Sequence, residues 1–144
     1  MSITDDKPLS LVHMLSNRIS RAFFDEVETK YGVSIAEWRV ILTLVSEPGL
    51  SGADITNRWA MEKMAVNRAV QRLVDSGNVA RTRDPDDRRS YQLTLTAKGM
   101  KLYEKIAPSA NKRYAELTSA ISGDELEALV ATLRKMISRA EELN

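Results

Sequence analysis

The chain has 144 residues, of which 43% are apolar and 28% charged, and it carries a formal net charge of +1. This size and balance are typical of one compact globular domain and exclude an intrinsically disordered chain. The sequence contains no cysteine and a single histidine, His13, which excludes disulfides, thiolate metal sites and thiol-based redox sensing and argues against a zinc cluster.

The apolar residues give no sign of a membrane segment. No apolar run approaches the roughly 18 to 20 residues of a transmembrane helix, and residues 1–7 lack the basic-then-apolar layout of a signal peptide. We therefore expect a cytoplasmic protein with no membrane partner. The sequence indicates neither a metal site nor a cofactor, and we predict no enzymatic activity because no nucleophile–base pair is recognisable.

Positive charge is concentrated in the middle of the chain. Between Arg58 and Lys101 there are ten lysines and arginines and five aspartates and glutamates, so this window has a net charge of +5. The remaining residues, with 11 basic and 15 acidic side chains, have a net charge of −4. A phosphate backbone responds to such a local excess, because salt screens exposed charges beyond about 10 Å.

Apolar residues at three- and four-residue spacing predict four helices in the first half of the chain. Ser34 with Glu37 predicts a capping box at the start of the second helix, and Ser51 with Asp54 gives a weaker signal of the same kind. We expect Trp38, Ile41, Leu42 and Val45 to form the buried stripe of the second helix. The four helices are predicted to run from Pro8 or Leu9 to about Lys30, from Ser34 to Glu47, from Ser51 to Trp59 and from Lys63 to Ser76.

The fourth helix has one apolar face and one polar, cation-rich face. At about 100° per residue, Val66, Ala69, Val70 and Leu73 fall on the same side and are predicted to pack. Asparagine and glutamine can pair bidentately with adenine, and arginine and lysine with guanine. A polar helix face can also be solvated and bind nothing. The opposite half-turn of the helix carries Lys63, Met64, Asn67, Arg68, Gln71 and Arg72.

A β-hairpin is predicted directly after this helix. Its strands are Val79 to Arg83 and Tyr91 to Leu95, and the loop between them contains Pro85 and three aspartates, which favour a turn. The loop ends in Arg88-Arg89, so the hairpin has a charged tip.

Two further helices complete the chain. The first begins after Thr96 and contains Pro108, where we expect a kink. The second begins at Ser122, with Glu125 completing another capping box. The fold class is therefore predicted to be mainly α with a small β-hairpin.

The order of these elements is typical of a winged helix-turn-helix. In that motif the second helix enters a major groove, and residues near its start contact base edges. The hairpin can reach backbone or minor groove. The expected base contacts are Lys63, Asn67, Arg68 and Gln71, and the expected phosphate contacts are Arg58 and Arg72.

The segment Val79 to Arg89, followed by Leu-Thr-x-x-Gly at residues 95–99, resembles the wing signature of the MarR transcriptional regulators. The resemblance covers nearly the whole chain and implies one MarR-like domain, residues 1–144, that forms an obligate homodimer. Its winged helix-turn-helix lobe would cover about residues 34–96, and its dimerisation helices about 9–31 and 97–142.

The resemblance also implies roles for the hairpin tip. Arg88 would contact the minor groove, with Asp87 and Arg89 as its support. Arg89 has an alternative, because it could pair with Asp84 or Asp86, a type of exposed ion pair that contributes little.

The function implied is a sequence-specific, DNA-binding repressor that binds a pseudo-palindromic operator as a homodimer and is released by a small aromatic or phenolic ligand. Met64-Ala65 departs from the Ser or Thr of many relatives, so the operator sequence cannot be transferred, and Met64 could contact a thymine methyl or simply pack. The other hypothesis is a winged-helix protein-interaction module that docks an acidic partner.

The ligand space implied by the resemblance would be lined by the first, second and fifth helices. His13 could equally be an exposed histidine without a special role, and Trp38 and Phe23 could be core residues. The candidate ligand residues are His13, Phe23, Trp38 and Tyr103.

Overall fold

The computed structural model describes residues 7–144 and all of their side chains except that of Phe24. The start of the chain, on which the prediction about a signal peptide depends, lies outside the described residues. The described residues divide into two compact units, with the boundary between residues 106 and 107. None of the helices that the structure describes is long and apolar enough to cross a membrane.

The predicted element order is confirmed, and both strands have the predicted bounds. One feature is additional: the first helix passes through one π-helical turn, Phe24–Glu28, before it ends at Gly32 in the left-handed conformation (φ 67°). The elements are α1 (Pro8–Phe23), the π-helical turn, α2 (Thr29–Tyr31), α3 (Ile35–Ser46), α4 (Gly52–Trp59), α5 (Lys63–Asp75), β1 (Val79–Arg83), β2 (Tyr91–Leu95), α6 (Ala97–Thr118) and α7 (Gly123–Leu143).

The stronger of the two predicted capping boxes is incomplete, and the weaker one is complete. Ser34 accepts a hydrogen bond from the Glu37 backbone N–H at 3.1 Å, but the Glu37 carboxylate accepts from the Ser34 hydroxyl instead of the Ser34 backbone. The predicted box at α3 is therefore only half formed. The complete box is at α4, where Ser51 and Asp54 each accept from the other's backbone N–H, at 3.1 and 2.9 Å.

The core lies where α3, α4, α5 and the hairpin meet. The predicted stripe of α3 is partly wrong: Leu42 and Val45 are only half-buried, whereas Val40 and Leu44 are buried together with Trp38 and Ile41. The physical reason is that α3 packs against α5 on one side and against β2 and α4 on others, so its buried residues exceed one stripe.

The terminal helices bury little. None of residues 8–23 in α1 and none of residues 123–143 in α7 is buried, although both helices carry apolar stripes. The helix α6 is continuous across Pro108, and the kink there stays a prediction.

Candidate nucleic-acid interface

The two predicted faces of α5 are confirmed by burial. Val66, Ala69, Val70 and Leu73 are each at most 4% exposed and pack into the core. The opposite face is exposed along the whole helix, and Met64 on it is 56% exposed. The fold therefore presents to solvent the residues that the sequence offered for DNA contact.

Three side chains on this exposed face are available for an external partner. Lys63, Asn67 and Arg68 form no hydrogen bond or ion pair within residues 7–144. Lys63 and Asn67 lie in the first half of the helix, where a recognition helix contacts base edges. A ligand or duplex could bind these groups without breaking an intramolecular contact.

Gln71 is in a different situation. Its amide Nε2 donates to Asp75 Oδ1 at 2.8 Å, and its Oε1 accepts from both terminal nitrogens of Arg81 at 3.3 Å. The Arg81 guanidinium also lies 5.5 Å from the centroid of the Tyr91 ring. Gln71 thus bridges α5 to the hairpin, and it would have to exchange these partners to contact a base.

The two proposed phosphate contacts each lie beside an acid of the helix-turn-helix region. Arg58 Nη2 is 2.7 Å from Glu47 Oε2, and Arg72 Nη1 is 3.7 Å from Glu37 Oε1. The Arg58 and Arg72 side chains remain 42% and 69% exposed. The pair of Arg58 is exposed and contributes little to stability, and the distance between Arg72 and Glu37 exceeds that of a hydrogen bond, so a phosphate can compete for both guanidinium groups.

The strands β1 and β2 and the loop of residues 84–90 form the wing. Aspartate side chains fold its tip. Asp84 Oδ1 accepts from the Asp86 backbone N–H at 2.9 Å, and Asp87 Oδ1 accepts from the Arg89 backbone N–H at 3.0 Å. Asp87 therefore supports Arg89 through its backbone and not through its guanidinium. In the described part of the chain, Arg88 and Arg89 are exposed and their side chains form no ion pair, with Asp84 and Asp86 or otherwise.

The base of the wing is fastened to the start of α6. Thr96 Oγ1 donates to the Gly77 carbonyl at 2.6 Å and accepts from the Gly99 N–H at 3.1 Å. The Lys98 ammonium donates to the Ser76 carbonyl at 2.5 Å, close to the C-terminus of α5. Thr96 thus caps α6 as its position before the helix predicts, and its bond to Gly77 and that of Lys98 to Ser76 join the start of α6 to the base of the wing.

Gly99 is required by the close approach of α6 to the wing. A β-carbon at this position would lie 2.0 Å from the Asn78 carbonyl oxygen, a distance that no real contact reaches. The glycine of the motif is thus explained by packing.

Three of the four candidate ligand residues lie together. The ring centroids of Phe23 and Trp38 are 6.0 Å apart, and those of Trp38 and Tyr103 are 5.8 Å apart and stacked. Trp38 is only 7% exposed, as its alternative role in the core requires. His13 lies ten residues before Phe23 on α1, is exposed, and is not part of this aromatic cluster.

Known proteins share both the sequence pattern and the fold. The family model described as the MarR family matches residues 31–90. An HTH-type transcriptional repressor of Mycobacterium tuberculosis is 24% identical over 136 residues, which cover 94% of this chain and 98% of the relative. The crystal structure of a MarR/EmrR family transcriptional regulator from Acinetobacter sp. ADP1 superposes with a TM-score of 0.85 at 26% identity, covering 93% of this chain and 94% of that chain.

A second solved structure is the PcaV transcriptional regulator of Streptomyces coelicolor in complex with its natural ligand. It has a TM-score of 0.78 and 22% identity and covers 97% of this chain and 99% of its own, which shows a common fold. The wing motif, the exposed polar face of α5 and these likenesses make the chain similar to the MarR family of winged helix-turn-helix transcriptional regulators.

Proposed function

We propose that this protein is a sequence-specific DNA-binding transcriptional regulator, a repressor that occupies a pseudo-palindromic operator as a homodimer. The observation that carries the proposal is the set of unengaged polar side chains on α5, Lys63, Asn67 and Arg68, next to a wing whose Arg88 is exposed. The helix supplies groups that discriminate bases in a major groove, and the wing supplies a cation for the minor groove or backbone.

Exposed apolar residues on α1 and α7 support the homodimer. On α1, Leu15 and Ile19 are 45% and 47% exposed, and on α7, Leu129 and Ile137 are 42% and 59% exposed. Apolar surfaces of this kind are typical of protein interfaces. A two-fold dimer binds two half-sites about 34–36 Å apart, one turn of B-DNA. The winged helix-turn-helix lobe would cover about residues 34–96, and residues 9–31 and 97–142 would form the dimer.

Repression and ligand release are supported by the relatives. The Mycobacterium tuberculosis relative is named a repressor, and PcaV was solved with its natural ligand. In this chain the aromatic cluster of Phe23, Trp38 and Tyr103 suits a flat aromatic or phenolic effector, because stacked rings offer both apolar area and a polar edge. Within one chain His13 lies apart from the cluster. It stays a candidate ligand residue only if the chain rearranges when the ligand binds or if the His13 side chain comes from a second copy.

The alternative is a winged-helix module that docks an acidic protein. The near-neutral total charge of the chain is the observation in its favour. Such a module would bind an acidic peptide and leave the upstream DNA of its own gene unprotected, so the two functions differ in a footprint.

The test is selection of random and upstream genomic DNA with the purified full-length protein, followed by footprinting of the recovered site. We expect a pseudo-palindrome whose half-sites are separated by one helical turn. Recovery of no sequence above background at moderate salt would overturn the proposal, while a recovered site without two-fold symmetry would overturn only the dimeric mode of binding.

A further inference from the structure

A cavity of about 490 Å³ lies where the start of α3, the end of α5 and the start of α6 come together. Its volume is within the range of small-molecule sites. Tyr31, Gly32 and Val33 form one wall, and Ser76 and Asn78 form another. None of the four candidate ligand residues, His13, Phe23, Trp38 and Tyr103, lines it, so it is separate from the aromatic cluster.

The cavity is strongly basic. Lys98, Lys101 and Lys105 line it from α6, where spacings of three and four residues place them on one helix face, and Arg72 lines it from α5. A single carboxylate, that of Glu37, is also present, so the lining has four cations and one anion. Such an excess of positive charge in a concave surface favours an anion over a neutral or cationic ligand.

The four cations are not equally available. The Lys98 ammonium is bound to the Ser76 carbonyl, and Arg72 lies 3.7 Å from Glu37, farther than a hydrogen bond. In contrast, the ammonium groups of Lys101 and Lys105 form no hydrogen bond or ion pair within the described residues. Two cations are therefore unengaged, and a third is weakly engaged and 69% exposed.

We propose that this cavity binds a small dianion, a metabolite that carries a phosphate or two carboxylates, through Arg72, Lys101 and Lys105. The planar guanidinium suits bidentate binding of such a group, and the two ammonium groups neutralise its remaining charge.

A DNA phosphate offers the same chemistry, but the geometry favours the small anion. The cavity lies at the C-terminal end of α5, where Arg72 is about 14 Å along the helix from Lys63, whereas a recognition helix contacts bases near its start. A concave pocket also surrounds a small molecule better than it follows a duplex backbone.

Glu37 acts as a restraint on this site. Its side chain is 9% exposed, it accepts from the Ser34 hydroxyl at 3.1 Å, and it is the acid beside Arg72. A bound anion must share Arg72 with this carboxylate. Replacing Glu37 by glutamine removes a negative charge and keeps an acceptor for Ser34, so the variant should bind the anion several-fold more tightly.

The experiment is calorimetric titration of the full-length protein with inorganic phosphate in chloride buffer at constant ionic strength. The unmodified protein should bind phosphate saturably, with one site per chain. Lys101→Glu/Lys105→Glu should weaken binding at least about tenfold, because each change reverses a ligand charge. The matched control is Lys112→Glu/Lys135→Glu, which makes the same change in net charge outside the cavity and should leave the affinity within about twofold.

Four results would overturn the site: no saturable phosphate binding, unchanged affinity in Lys101→Glu/Lys105→Glu, equal weakening in the control, or weaker binding by Glu37→Gln. Circular dichroism checks each variant for folding, and Lys101→Gln/Lys105→Gln replaces the reversed pair should it unfold. None of these measurements contains DNA, so they remain valid if the proposed regulator function fails.

A second experiment distinguishes the two possible sources of the bound phosphate group, a small metabolite and the DNA backbone. In phosphate-free buffer, operator affinity and its salt slope should be the same for the unmodified protein and for Lys101→Glu/Lys105→Glu. A salt slope lowered by about two in that variant would assign the two lysines to the DNA backbone and overturn the small-anion assignment.

Discussion

At the scale of single residues, Arg88 gives the most direct test of whether the wing contacts DNA. Its side chain has no ion pair in the described chain and stands at the tip of the hairpin. We expect Arg88→Ala to lower operator affinity by more than a few-fold and to reduce the salt slope by about one, because one groove or phosphate contact is lost. Titration of labelled operator at several salt concentrations measures both quantities.

The control for this change is Arg134→Ala, which removes one exposed arginine from α7. It should leave affinity and slope unaltered. If Arg88→Ala binds the operator as tightly as the unmodified protein does, the wing tip is not part of the DNA interface.

Gly99 gives a second prediction at this scale, and it concerns stability. An added β-carbon would lie 2.0 Å from the Asn78 carbonyl oxygen, so α6 and the wing base must move apart in Gly99→Ala. We expect the free energy of unfolding to fall by about 1–3 kcal/mol, the range for overpacked sites. Urea denaturation at fixed protein concentration measures it.

The matched variant is Gly123→Ala, where a β-carbon has no neighbour within 4 Å. Its free energy of unfolding should change little. Similar values for the two variants would show that the contact between Gly99 and Asn78 relaxes without cost.

At the scale of elements, the bridge between α5 and β1 decides what Gln71 does. Its amide is bonded to Asp75 and Arg81, which suggests that it positions the wing relative to α5. The effects of Gln71→Ala and Arg81→Ala on operator affinity should then be non-additive, since each breaks the same bridge. A base contact made by Gln71 alone would instead give additive effects.

The double-mutant cycle is measured by operator titration, with Gln71→Ala and Arg88→Ala as the comparison pair. Arg88 is at the far end of the hairpin and is not hydrogen-bonded to Gln71 in the described residues. If the effects on operator affinity are additive in both cycles, Gln71 acts independently of Arg81, as a base contact would.

The sequence predicts elements well where the signal is local. The faces of α5 and the bounds of both strands follow from periodicity, because burial of one face decides them. It fails where distant segments meet. The contact of Glu37 with Arg72, the bridge of Gln71 to Arg81 and the basic cavity each depend on side chains from different elements, and no local pattern contains that information.

At the scale of the whole molecule, the terminal helices leave apolar area that one chain does not cover. The α7 positions Leu129, Val130, Met136 and Ile137 are all at least 38% exposed, and they fall on one face of the helix. Exposed apolar stripes of this kind mark interaction surfaces, and burial between two copies, as in the proposed homodimer, would account for this one.

Ile137→Asp therefore tests the dimer directly. Ile137 is 59% exposed in the single chain, and an aspartate at this position would place an unpaired charge in the proposed dimer interface. We expect the dimer dissociation constant to rise on the order of 100-fold, the equivalent of a few kcal/mol for burying such a group. Sedimentation equilibrium over a range of concentrations measures this change.

Operator affinity should fall in parallel with the dimer, although residue 137 lies outside the proposed DNA-binding lobe, because two linked half-sites become one. Lys135→Asp is the control, since position 135 lies on the opposite face of α7 and should keep both dimer and operator binding. If Ile137→Asp remains dimeric and binds the operator normally, the subunits must associate through another surface, and the apolar stripe of α7 must serve a different partner.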